Sequence, residues 1–171
     1  MNGIKFQRAG LFLYLTSAIL LMIYALGFVS NVYIFYAYGG KALVDFYHEM
    51  QMVNNNLLWK AIIAVIFALV LFLLQINKYT AGFLTLIITV LIAAVSLFIG
   101  IDSIVVLVFS RLEYSALDLS SLNRYIERGT IKYQYSTLTY DLGLAGYILF
   151  LLTSIFTSFF VIRNALKRKN K

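Results

Sequence analysis

The chain has 171 residues, of which 62% are apolar (AVILMFWYC) and only 12% charged, with 14 Lys+Arg against 7 Asp+Glu, no Pro and no Cys. A soluble domain carries roughly 25% charged residues, so this chain lacks the polar surface that water demands and belongs in a bilayer. The missing Cys excludes disulfides, thiolate metal sites and thiol nucleophiles together.

Crossing about 30 Å of hydrocarbon takes roughly 20 helical residues, and four apolar runs meet that length: residues 9–38, 57–76, 81–110 and 142–162. They predict an all-α integral membrane protein, a four-transmembrane-helix bundle forming one membrane domain over 1–171. Lys5 and Arg8 before an apolar run, with Ala25-Leu26-Gly27 behind, look like a signal peptide. The apolar run continues to Tyr38, which favours an uncleaved first helix.

Charge placement sets the orientation. One side carries Lys5, Arg8, Lys78, Arg163, Lys167, Arg168, Lys169 and Lys171 with no acid; the other balances Lys41, Lys60, Arg111, Arg124, Arg128 and Lys132 against Asp45, Glu49, Glu113, Asp118, Glu127 and Asp141. The expectation is a plasma-membrane protein with both termini cytoplasmic and an inner turn at residues 75–80. The tail residues Arg163, Lys167, Arg168, Lys169 and Lys171 are expected to contact anionic lipid, and so short a tail is a poor nucleic-acid ligand.

Two outer segments, 39–56 and 111–141, are expected to cap the bundle. In the first, Gly39-Gly40 stops a helix, Ala42, Leu43, Phe46, Tyr47, Met50 and Val53 recur at helical spacing, and Asn54-Asn55-Asn56 supplies an N-cap for the second span, predicting a separate interfacial helix. In the second, Asp118 or Ser120 caps a short helix that Gly129 stops, with Leu119, Leu122 and Ile126 on one face. Ile131, Tyr133 and Tyr135 then alternate with polar residues, which is strand periodicity; a Tyr-rich connection is the simpler reading.

Asp102 is the one acidic residue inside a span, and an intramembrane charge is a functional candidate because isolating it in hydrocarbon is costly. Asn31 falls at similar depth and its amide can donate to that carboxylate, so the pair forms the intramembrane polar site, structural or on a path. Lys60 sits near enough to a span end to snorkel. Asp45, His48 and Glu49 share a helix face with metal-ligand chemistry. With one His and no second ligand cluster, neither a metal nor a cofactor is expected.

Small and hydroxyl residues form stripes at Thr85, Thr89, Ala93, Ser96 and Gly100, and at Gly143, Gly146, Thr153 and Thr157, which read as helix-packing faces. There is no Walker-type loop, H-E-x-x-H or G-x-S-x-G, and the expected cytoplasmic face has no carboxylate for Mg²⁺, so catalysis is not expected. The outline resembles tetraspan membrane proteins in general, but claudins and tetraspanins carry outer-loop Cys that this chain lacks, so no residue roles transfer.

Continuous Pro-free helices suit a structural or accessory protein that pairs with a membrane partner or with itself. The alternative is a small transporter or channel component with Asp102 and Asn31 on its path.

Overall fold

The computed structural model describes residues 2–28, 38–76, 83–132 and 135–169. Five helices follow in order: α1 (Asn2–Phe28), α2 (Lys41–Ile76), α3 (Phe83–Ser115), the short α4 (Ser120–Glu127) and α5 (Leu138–Lys169). Four of them are long and apolar enough to cross a membrane. Each of these four packs on two others: α1 on α2 and α5, α3 on α2 and α5. The result is an up-down bundle whose α2–α3 seam is the thinnest.

One spacing rule organises the interior. On α1 the buried residues are Leu11, Tyr14, Ala18, Leu21, Ala25 and Phe28, and on α2 they are Leu43, Phe46, Met50, Asn54, Leu57, Ala61, Ala64, Ala68 and Leu71. Steps of three and four residues keep one stripe of a helix on its neighbours, the pattern of left-handed helical packing. α5 obeys it through Tyr140, Gly143, Tyr147, Phe150, Ser154, Thr157 and Val161. α3 does so with a hydroxyl at every seventh place: Thr89, Ser96, Ser103 and Ser110 are all buried.

Large and small residues alternate across the axis. Ala61, Ala64 and Ala68 of α2 are fully buried, as are the large side chains of Tyr14, Tyr147 and Phe150, each no more than 1% exposed. Tyr14 and Phe150 stack with centroids 5.4 Å apart. The outward faces are equally apolar, with Ile23, Leu73, Phe98 and Leu152 all around 60% exposed. No water-soluble monomer presents apolar surface on this scale, whereas lipid tails accept it.

The two ends differ. At the end holding the N-terminus and the end of α5, Gln7 donates to Gln75 (2.9 Å) and accepts from Asn164 (2.7 Å), an amide chain joining α1, α2 and α5. At the opposite end, Phe46, Tyr135 and Tyr140 surround Tyr114, with centroids 5.3–6.0 Å away. α4 closes over this end by burying Leu122 completely, with Leu119 and Ile126 packed against the core. Tyr38 meets Tyr125 of α4 at 5.4 Å.

One expectation needs correction. Residues 41–56 are not a separate interfacial helix; they form the first turns of a 36-residue α2, and the Asn run neither breaks nor caps it. The core stripe runs through the Asn triplet, since Asn54 is buried in step with Met50 and Leu57 while Asn55 and Asn56 face outward. Packing along the whole stripe outweighs the few tenths of a kcal/mol by which Asn disfavours a helix. There is also no strand among the described residues. Tyr133 lies outside them, Ile131 packs against the core, and Tyr135 stacks on Tyr114.

The entry to α4 also differs in detail. Its N-cap position is Leu119, with no side-chain cap, and Asp118 sits one residue earlier, where its carboxylate accepts the Ser120 N–H at 2.9 Å. Gly129 ends the helix in the left-handed region (φ 68°) as its position suggests. The Ser120 backbone and side-chain hydrogen bonds hold the Asp118 carboxyl below its ordinary 3.8. A group with a lowered folded-state pKa adds stability above the unfolded value and loses it as pH falls through the folded one. NMR titration of Asp118 is expected to give a midpoint below 3.8; a midpoint at or above it would show that the Ser120 contacts do not form in solution.

Candidate functional site

The polar groups inside this apolar bundle are the places where chemistry or recognition is possible. The first is an ion pair on the α2–α3 seam: Lys60 Nζ donates to Asp102 Oδ2, with side chains 15% and 40% exposed. Asp102 therefore has a cation as its partner. Asn31, the expected donor, lies outside the described residues. In hydrocarbon, pairing removes most of the cost of each charge.

Around the axis runs a set of buried hydroxyls. Tyr14 and Ser96 share a hydrogen bond of 2.5 Å, and Ser17 meets Thr153 at 2.9 Å while donating to the Tyr14 carbonyl at 2.8 Å. Thr89 and Thr157 donate back to the Thr85 and Thr153 carbonyls. Tyr147 and Ser103 are neighbours yet sit outside hydrogen-bonding geometry, and their oxygens are unsatisfied. Their difference from the Tyr14–Ser96 pair is testable. Tyr14→Phe is expected to cost about 1 kcal/mol, while Tyr147→Phe is neutral or stabilising because it removes an unmet buried hydroxyl. Denaturation in mixed micelles checks this, and equal losses would refute it.

The small-residue stripes are occupied within the chain. A Cβ on Gly143 would overlap the Tyr24 phenol and one on Gly100 would overlap Leu151, while a Cβ on Gly146 or Gly10 would come within 3.2 Å of Leu21 or 3.0 Å of Thr157. Thr153 and Thr157 turn inward beside them, whereas Thr85 and Ala93 are half-buried. These glycines let α5 approach α1 and α3, so they do not offer an open face.

Asp45, His48 and Glu49 lie exposed on α2, and no group of three or more metal-ligating side chains converges among the described residues. Arg163 is exposed near the end of α5, which continues through Lys167, Arg168 and Lys169; Lys171 lies outside the described residues.

Just beyond the ion pair, the α2–α3 seam opens into a cleft of about 330 Å³ lined by Met50, Met52, Val53, Val105, Val106 and Phe109, with Glu49 and Glu113 among its walls. Glu49 precedes Lys60 by eleven residues and Glu113 follows Asp102 by eleven. On antiparallel helices the two carboxylates are therefore level, about 16 Å along the seam from the ion pair. Sequence reading did not find this arrangement, although Lys60 and Asp102 stand nearly equidistant from the turn between their helices.

Fold and site together define an all-helical bundle of four helices long and apolar enough to cross a membrane, with a filled axis and a charge pair between two of them. No family model, curated protein or solved structure matches the chain.

Proposed function

We propose that this chain is a structural or accessory subunit of a membrane assembly, placed in the plasma membrane with both termini on the cytoplasmic side. The observation that carries the reading is the filled axis: Tyr14, Tyr147 and Phe150 occupy the centre of the bundle and are essentially inaccessible. A single copy with such a core has no room for a solute path, and Asp102, the strongest transport candidate, is neutralised by Lys60. The basic residues at the two chain ends support the orientation.

Purified protein in liposomes is expected to be inert to ion and solute flux, while mild-detergent extraction retains a fixed membrane partner. Flux that Asp102→Ala abolishes would replace this reading with the transport one. Orientation is checked in the Cys-free background: Lys78→Cys labelled from outside the cell would invert the topology.

A further inference from the structure

Resting on the accessory reading, we propose that the α2–α3 cleft is the partner-binding surface and that its occupant is a transmembrane helix carrying a lysine or arginine level with Glu49 and Glu113. The cleft walls are apolar, with Met52 70% and Phe109 62% exposed, so an apolar helix face is what they accept. Glu49 and Glu113 make no salt bridge among the described residues, and two cations of the same two helices are engaged elsewhere, Lys60 with Asp102 and Arg111 with Asp141. Two level carboxylates at the end of an apolar groove ask for one cation there. A long basic side chain near the end of a span meets that demand by reaching along the helix toward the polar boundary.

Charge also argues against the two other occupants. Copies of this chain inserted in one orientation and related by a two-fold axis would bring four carboxylates to the same height across the joint, which is repulsive. A phospholipid with an amine headgroup brings its phosphate along with its ammonium, setting an anion against the same two carboxylates. A basic side chain brings the cation alone.

Met52→Cys gives the full chain a single thiol at the cleft. Reconstituted in phosphatidylglycerol vesicles with a synthetic Leu/Ala transmembrane peptide, which carries one Cys and either Lys, Gln or Glu at its outer interface, it is scored by oxidative crosslinking. The Lys peptide is expected to crosslink several-fold more than the Gln peptide and the Glu peptide least. The Glu49→Gln/Glu113→Gln variant is expected to bring all three to the same yield. Equal yields in the unaltered background would overturn the proposal, as would dominant self-crosslinking, which assigns the face to a second copy. Loss of the Lys preference when phosphatidylethanolamine replaces half the lipid would assign it to lipid. If these fail while a fixed partner still co-purifies with the Glu49→Gln/Glu113→Gln variant, the surface is wrong and the accessory role stands.

Discussion

Replacing Lys60 by Met is expected to destabilise the bundle by about 2–3 kcal/mol, and replacing Asp102 by Leu as well is expected to restore most of that loss. Exposed ion pairs contribute roughly 0–1 kcal/mol, whereas breaking a fully buried one costs about 3–5. The Lys60–Asp102 pair falls between these limits because Asp102 keeps 40% of its surface accessible, and in the membrane setting proposed above the medium it meets there is lipid rather than water. The loss in the single variant comes from leaving a carboxylate without its counter-charge. The doubly apolar variant removes that charge and replaces it with side chains that hydrocarbon accepts. Unfolding followed by steric trapping or denaturant titration in bicelles separates the two. A double variant as unstable as the single one would show that the pair contributes attraction well beyond cancelling its own desolvation.

The second large effect is expected at Gly143, where substitution by Ala should cost about 2–3 kcal/mol while Gly100→Ala stays near neutral. Both glycines sit inside helices, where Ala gains about 1 kcal/mol in propensity. Both would also place a Cβ on top of a neighbour. At Gly100 that neighbour is the branch carbon and a methyl of the Leu151 side chain, a flexible group that a change of χ1 carries aside. At Gly143 it is the ring and hydroxyl of Tyr24, a rigid group held by its hydrogen bond to the Thr139 carbonyl at 3.0 Å. Overpacking against a fixed ring typically costs 1–3 kcal/mol even before that bond is broken. Tyr24→Leu should rescue Gly143→Ala, and Tyr24→Phe should not, because the ring carbons as well as the oxygen obstruct the Cβ. Equal stability of the two Ala variants would refute this account.

Much of the fold was legible because it rests on periodicity. The stripe Leu11, Tyr14, Ala18, Leu21, Ala25 is visible in the letters, as are the glycines and hydroxyls of α3 and α5. The Leu119, Leu122 and Ile126 face of α4 and its Gly129 stop follow the local chemistry of a short amphipathic helix. The break placed at Asn54 failed for a definite reason. Asn is a good cap and a poor helix former, but those local preferences yield to the heptad that carries Met50, Asn54, Leu57 and Ala61 along one seam. Asp102 reads from the sequence as a charge needing a partner, and depth along the helices points to Asn31. Folding α2 back on α3 brings Lys60 to Asp102, a relation that depends on how two helices are joined rather than on any motif. The cleft and its level carboxylates follow from that same pairing and become visible only once it is known.

Four hydroxyls at seven-residue intervals give α3 nearly the same inner face after a translation of two turns. Thr89, Ser96 and Ser103 moved up by one interval would land where Ser96, Ser103 and Ser110 now stand, so this ladder cannot by itself select among sliding positions of the helix. Selection falls to features that occur once: Asp102 opposite Lys60, and the bare backbone of Gly100 beneath Leu151. The charge pair thus acts as an alignment key. Its removal is expected to reveal itself first as a mixture of slipped insertions and only afterwards as unfolding.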